Sequence, residues 1–279
     1  MEFGRSAVRT ARKSGLIAAV LPGIYSVSEP EDETRVRSRA LTLWAAPTGT
    51  ITGVAAAHMW GIVDTPPMRV TVQVPRAWRL RPPAWARLLR VAHVGMRYRM
   101  GSIPVVAASD AVVQCWREAR RDVGVSTVIE SVQRGVTTPS ELLDALKRRI
   151  QMPRRREFVE LLGLLDKTVT SYLEYVAWRD VFPPQLFPHL QWQVEIWTRR
   201  RKRVMDAFDA EAMIDLEFDG GSTHGGIDGF ERDRERDADI RSVGIEPLHF
   251  TYRDLTLRAE WCRREYVKAR QSRLRDLEG

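Results

Sequence analysis

The 279-residue sequence predicts a mixed α/β fold, α+β overall, whose most regular part is its last third. Three observations predict it. From about residue 166 the chain reads helix, three strands, helix, strand, helix, the order of one mixed sheet covered by helices. Residues 5–26 read as a basic helix followed by a short hairpin. Between these ends, helical periodicity is interrupted by a single β run, Val70 to Val74.

Taken in order, Arg5 to Ser14 is a helix that Gly15 can stop. Leu16 to Ser26 holds two short β runs around Pro22-Gly23. A basic helix followed by a hairpin is the order of recognition helix and wing in a winged-helix module; the two helices that normally precede it are missing here. Thr34 to Trp44 and Thr52 to Trp60 read as helices, and Pro75 ends the Val70 strand. Arg76 to Pro83 is a basic, Pro-containing loop. Val105 to Arg121 and Ser126 to Ile150 read as helices, with a start signal at Thr138-Pro139-Ser140-Glu141. Met152-Pro153 and the arginines 154–156 look like an exposed junction. Thr168 to Asp180 is amphipathic, with Val169, Leu173, Val176 and Ala177 on one face, and Phe182-Pro183-Pro184 ends it. Leu190 to Trp197, Arg203 to Phe208 and Ala212 to Asp219 are strands. Phe230 to Val243 is a charged helix closed by Gly244, Pro247 to Tyr252 a strand, and Leu255 to Leu274 the final helix. The expected division is 1–30 (partial winged helix), 31–110 (α/β), 111–165 (helical connector) and 166–279 (the α/β domain). Trp178, Trp192 and Trp197 are expected to pack, and Trp60-Gly61 to plug the core of the middle region.

A formal net charge of +8 and a pI near 9.9 favour an acidic partner such as nucleic acid, although Arg-rich coding bias produces the same balance. Cys115 and Cys262 form no CxxC pair or Cys/His cluster, which argues against zinc and disulfides and for a reducing, cytoplasmic setting. Leu16 to Leu21 is too short to span a bilayer, so no membrane partner is expected. GxGxxG, GxxxxGK[ST], HExxH and GxSxG are absent, leaving nucleotide-cofactor and serine-hydrolase readings without support.

The sharpest chemical feature is Met213-Ile214-Asp215-Leu216-Glu217-Phe218-Asp219. Alternation puts Ile214, Leu216 and Phe218 on one face and Asp215, Glu217 and Asp219 on the other. Carboxylates two apart on one face repel each other unless solvated or bridged by a cation. Asp206 stands eleven residues before Glu217, and a turn at Asp209 to Glu211 would bring the two side by side. The competing reading is a solvated acidic face. A Gly-rich turn follows, and His224 beyond it can reach back toward the acids.

Glu174 on a helix, Val204-Met205-Asp206, Glu217-Phe218-Asp219-Gly220 with His224, Asp233, Arg236-Asp237, and Gly244 before Pro247-Leu248-His249-Phe250 together resemble the PD-(D/E)XK nuclease superfamily. The nearest branch is the one similar to very-short-patch mismatch-repair endonucleases. The likeness covers roughly the last 110 residues and implies a restriction-endonuclease-like domain. It implies catalytic roles for Glu174, Asp206, Glu217 and His224, with Asp206, Glu217, Asp219 and Glu174 holding Mg²⁺ or Mn²⁺. Oxygen ligands suit those ions, and an imidazole near neutral pKa suits a general base. The superfamily's usual lysine two residues after the Glu is replaced by Asp219.

The helix through Arg9 and Arg12, the hairpin Leu21-Pro22-Gly23-Ile24-Tyr25, the helix Gly53 to Trp60-Gly61 and the strand ending at Pro75 resemble AbiEi-type antitoxins of bacterial abortive-infection systems. That likeness covers about the first 110 residues. It implies a winged-helix autoregulator of a type IV toxin-antitoxin pair, with a nucleotidyltransferase-like toxin as partner and room for a homodimer. Arg5, Arg9, Arg12 and Lys13 would then face double-stranded DNA, and Arg200, Arg201, Lys202 and Arg203 form a second basic run beside the acidic strand. In both places the plain alternative is a solvated basic face. Two functions are therefore expected: a Mg²⁺-dependent DNA endonuclease, in phage defence or repair, or a non-catalytic DNA-binding repressor or antitoxin.

Overall fold

The computed structural model describes residues 5–27, 32–79, 81–92, 97–165, 168–219 and 227–278, without the side chains of Arg5 and of 227–233. The chain is mixed α/β and folds as two compact units, Met1–Arg156 and Glu157–Gly279. No described helix is long and apolar enough to cross a membrane.

The first unit opens with α1 (Arg5–Lys13) and the antiparallel hairpin β1 (Ala18–Leu21) and β2 (Ile24–Ser26). Helix α2 (Glu33–Trp44) starts where the Asp32 carboxylate accepts the Arg35 N–H at 2.9 Å. Next come β3 (Thr50–Thr52), α3 (Gly53–Met59), β4 (Val70–Pro75), β5 (Ala86–Val91), β6 (Arg97–Met100) and β7 (Ile103–Val106). The five strands form one sheet in the order β5-β4-β3-β7-β6. Val70, Val72 and Val74 pack with Leu41, Ile51 and Val105 in its core. Helices α4 (Ala108–Glu118), α5 (Arg121–Gln133) and α6 (Pro139–Lys147) follow. Thr138 and Glu141 close a complete capping box at the start of α6.

Several sequence expectations need correction here. Residues 103–106 are strand, not the first turn of a helix, because Ile103, Val105 and Val106 are β-branched and buried in the sheet. The stretch read from Ser126 to Ile150 is two helices: α5, which begins earlier at Arg121 and is ended by Gly135 with a φ of 65°, and α6, which begins at the expected Thr138 start signal. Strands β3, β5 and β6 add to the expected elements: β3 is three residues long and β6 reads Arg-Tyr-Arg-Met, so neither carries a hydrophobic alternation.

The second unit contains α7 from Glu157 onward (Arg155–Leu164 in full), α8 (Tyr172–Val176) with a π-helical turn Ala177–Val181, then β8 (Leu190–Trp197), β9 (Lys202–Asp209) and β10 (Ile214–Asp219). Helix α9 (Ile227–Arg241) leads to β11 (Glu246–Thr251), α10 (Tyr252–Leu257) and α11 (Ala259–Glu278). The sheet order is β11-β10-β9-β8, with β10 and β11 parallel and the other pairs antiparallel. The predicted final helix is divided at Arg258, and a Thr251/Asp254 capping box starts α10 before the predicted first residue.

Two cores lie on the two faces of this sheet. Ala207, Ile214, Leu216 and Phe218 pack with Leu173, Val176, Phe182, Phe250, Cys262 and Tyr266. Met205 and Phe208 pack with Ile240 and Ile245 at the end of α9. Trp192 stacks on Phe218 at 5.8 Å as expected of a packing residue, whereas Trp197 is 74% exposed. Trp197 is the last residue of β8, where the strand leaves the sheet.

Candidate functional site

The sheet of the second unit changes face at one row of residues. Met205 packs on the α9 side while Ala207, two residues on, packs on the opposite side. In the neighbouring strand Trp192 and Val194 divide the same way. Residues two apart on a regular strand share a face, so both strands must rotate between those positions. Gln193 shows how: its φ is 54°, a left-handed conformation rare for a side chain of this size. The pairing of β9 with β10 runs from Ile214↔Asp209 to Leu216↔Ala207, and beyond it the Asp206 Oδ2 accepts the Phe218 N–H at 3.0 Å. A carboxylate thus takes the place of a strand carbonyl.

The acidic residues gather at this break. Asp215 is fully buried and Glu217 is 4% exposed, which removes the solvated-face reading for both. Asp219, at the strand end, is exposed as that reading has it. Asp206 is pushed up to about 7, first by burial and then by the nearby Glu217 carboxylate. Glu217 rises to about 9, through burial and then through the neighbouring Asp215 carboxylate. Asp215 rises to about 6, mainly through burial. Among the described residues neither Asp215 oxygen receives a hydrogen bond. A buried carboxylate with no donor is costly.

Among the described residues the strong cation beside them is Arg236 of α9. Its guanidinium bonds Glu217 Oε1 and reaches the Val204 carbonyl at 3.1 Å, and its Nε is buried with no acceptor among those residues. Glu174 is near enough to add to the field on Asp206, yet its own oxygens are occupied. They accept the Thr170 N–H at 2.6 Å, the Thr170 hydroxyl at 2.8 Å and the Gln193 side-chain amide at 2.9 Å. The left-handed turn at Gln193 is what aims that amide at Glu174. Glu174 therefore fixes the break in the sheet.

At the open end of β10, Asp219 Oδ2 lies 3.0 Å from His249 Nδ1, and Asp237 Oδ1 lies 3.0 Å from His249 Nε2. The two carboxylates, Asp219 first, hold His249 protonated to about 9, so near neutral pH it is a second cation and not a base. His224 lies outside the described residues, as do the side chains of Arg5 and Asp233.

The basic residues are divided. Arg9 and Lys13 are exposed on α1, and the Arg12 guanidinium lies 6.0 Å from the centre of the Tyr25 ring. Arg200 and Arg201 are exposed in a turn organised by the Thr198 hydroxyl, which accepts both of their N–H groups. Lys202 pairs with Glu195 at 2.6 Å, and Arg203 with the buried Asp239 at 3.1 Å. Arg203 is therefore committed to tying β9 to α9 and does not point outward to DNA.

Sequence reasoning brings Asp206 and Glu217 together and leaves out Asp215, Gln193, Arg236 and His249. Asp215 is visible on the shared strand face; Arg236 and His249 stand within the nuclease-like motif without a role, and only the packing of α9 and β11 assigns them one. In donor type, Asp206, Asp215 and Glu217 fit a hard divalent cation, and the donorless Asp215 is the observation that asks for one. Among the described residues no group of three His, Cys, Asp or Glu side chains is already drawn together as a metal site. Comparison with protein-family models and with curated proteins finds no match to this chain.

Proposed function

We propose that residues 157–279 form a divalent-metal-dependent nuclease domain that hydrolyses phosphodiester bonds in DNA. The observation that carries the reading is Asp215, a fully buried carboxylate with no donor among the described residues, in the company of Asp206 and Glu217 near a break in the sheet. Asp206, Asp215 and Glu217 would hold Mg²⁺ or Mn²⁺; Asp219 stays engaged with His249, and Glu174 supports the cluster through Gln193. When bound, such an ion supplies charge relief to a phosphate and a more acidic water. The chain's own residues supply the rest. Glu217, protonated near neutral pH, can give up its proton as a cation arrives. Arg236, a third exposed, is the cation able to meet phosphate charge in place of the lysine that Asp219 replaces. His224 keeps its proposed role as the base.

A second reading is a non-catalytic DNA-binding repressor or antitoxin. The observation in its favour is that the Arg236 guanidinium already occupies Glu217 Oε1 while no ready-made metal group stands among the described residues.

The test is incubation of the full chain with supercoiled plasmid, linear duplex and mismatched duplex in Mg²⁺ or Mn²⁺. Nicking or cutting that disappears in Asp206→Ala and Glu217→Ala is expected. Cutting that survives both substitutions rejects the site, and no cutting on any substrate rejects the enzyme. Metal-independent preference for the chain's own promoter over random DNA would then support the repressor.

A further inference from the structure

Between Asp64 and Asp110 the sequence carries eight arginines and no aspartate or glutamate. This stretch supplies β4 to β7 of the first unit, so a large part of that sheet has no acidic residue of its own. The connection from β4 to β5 holds the densest part. It joins two parallel strands in ten residues, too short for the usual helical crossover, and is pinned instead by Trp78 and Trp85 on the core.

The loop backbone is fixed, and it fixes two of these arginine side chains, Arg79 and Arg90. The Arg76 N–H donates to the Val91 carbonyl at 3.1 Å, and the Trp78 N–H to the Pro75 carbonyl at 3.1 Å, so residues 75–78 form a tight turn. Into that turn Arg79 donates to the Arg76 carbonyl and the Arg90 Nε–H to the Trp78 carbonyl, each at 3.0 Å. The Arg79 guanidinium, bonded to a neutral carbonyl, is oriented yet keeps its whole charge and retains other N–H groups for a ligand. Arg76, Arg79, Arg81 and Arg90 are all exposed. Arg76, Arg79 and Arg81 pair with no described carboxylate. Cations held close together without counter-charge repel one another, and a polyanion relieves that repulsion.

We propose that Arg76, Arg79, Arg81 and Arg90 form a phosphodiester-binding face on the first unit, contacting successive backbone phosphates of a nucleic acid. Planar guanidiniums suit phosphate oxygens, and the two fixed by carbonyls, Arg79 and Arg90, lower the ordering cost of binding. The face reads the backbone and not the bases, so it adds affinity without sequence preference. It shares with the nuclease reading only the class of ligand. Binding measured in EDTA tests it whether or not residues 157–279 cut DNA, and the two proposals can fail separately.

The experiment titrates fluorescent duplex DNA with the full chain in EDTA across 50–300 mM salt. Removing one cation that neutralises a phosphate lowers the steepness of log K against log salt by about 0.9, so Arg76→Gln/Arg79→Gln/Arg81→Gln is expected to lower it by about 2 to 3. Taken from the 1 M reference, the same change corresponds to roughly a hundredfold to thousandfold weaker binding near 0.1 M salt. The triple lysine variant at these positions keeps the charge and is expected to retain most of the slope. An unchanged slope in the glutamine variant overturns the proposal. So does an equal drop in the lysine variant, which would assign the effect to altered structure. Competition by polyglutamate as effective as by DNA of equal charge overturns the assignment to phosphodiesters.

Discussion

Replacing Asp215 with asparagine is expected to stabilise the second unit above neutral pH, against the usual outcome of substituting a buried residue. The folded chain holds the Asp215 proton to about pH 6, against an ordinary value of 3.8. The folded state therefore binds that proton more tightly than the unfolded state does. Stability falls as pH rises from about 4, and the full penalty is present above about 7. The gap is worth about 3 kcal/mol, at roughly 1.4 kcal/mol per tenfold in proton affinity. Asparagine has nearly the same shape and no charge, and its amide can donate to Glu217, which Asp215 cannot do when ionised. We expect a gain of about 2–3 kcal/mol at pH 8 and about half as much at pH 5, where the wild-type carboxyl is partly relieved. Urea unfolding of both proteins at the two pH values measures it. A variant no more stable than wild type at pH 8, or an equal gain at both pH values, would refute the idea that Asp215 is a buried, uncompensated charge.

The remaining predictions concern its neighbours and the first unit. Arg236→Gln removes the cation that opposes the raised pKa values of Asp206 and Glu217, so it should destabilise more at pH 9 than at pH 5; melting curves at both values check it. His249 should titrate near pH 9 in an NMR experiment, and its stabilising contribution, complete below about 6.5, should be lost as pH rises from there through about 9. Tyr266→Phe removes the hydroxyl that donates to Asp209 at 2.7 Å and contacts His189 at 2.6 Å, and should cost about 1–2 kcal/mol in denaturant unfolding. Gly53→Ala should destabilise the first unit by about 2 kcal/mol or more, because φ is +61° there and a Cβ would overlap a Glu118 carboxylate oxygen; thermal melting of the variant measures the effect.

The second unit is the more legible half because its signals are local. Residues 190–197 alternate or run apolar between Pro183-Pro184 and the basic turn, and the strand spans Leu190 to Trp197 as that pattern predicts. The 213–219 segment carries its faces openly, so Ile214, Leu216 and Phe218 enter the core as predicted. The site is only partly legible. Whether Asp215 is solvated or buried depends on where α9 packs, and α9 has a charged sequence with little apolar periodicity. The left-handed Gln193 is invisible to periodicity, since nothing in Trp192-Gln193-Val194 marks a turn. In the first unit, β3, β5 and β6 are short or arginine-bearing and gain their stability from neighbours far along the chain, such as the β5 pairing with β4. The basic stretch at 76–83 is a loop, as its prolines predict, yet its organisation rests on carbonyl acceptors that no residue type announces.

The central claim is that Asp206, Asp215 and Glu217 hold a divalent cation. Its most direct measurement is Mn²⁺ binding to the full chain, followed by the disappearance of the free-ion electron paramagnetic resonance signal at pH 8. The account predicts saturable binding to the wild type, abolished in Asp206→Ala and Glu217→Ala and competed by Mg²⁺. Equal binding by wild type and both variants, or none by the wild type, would contradict it.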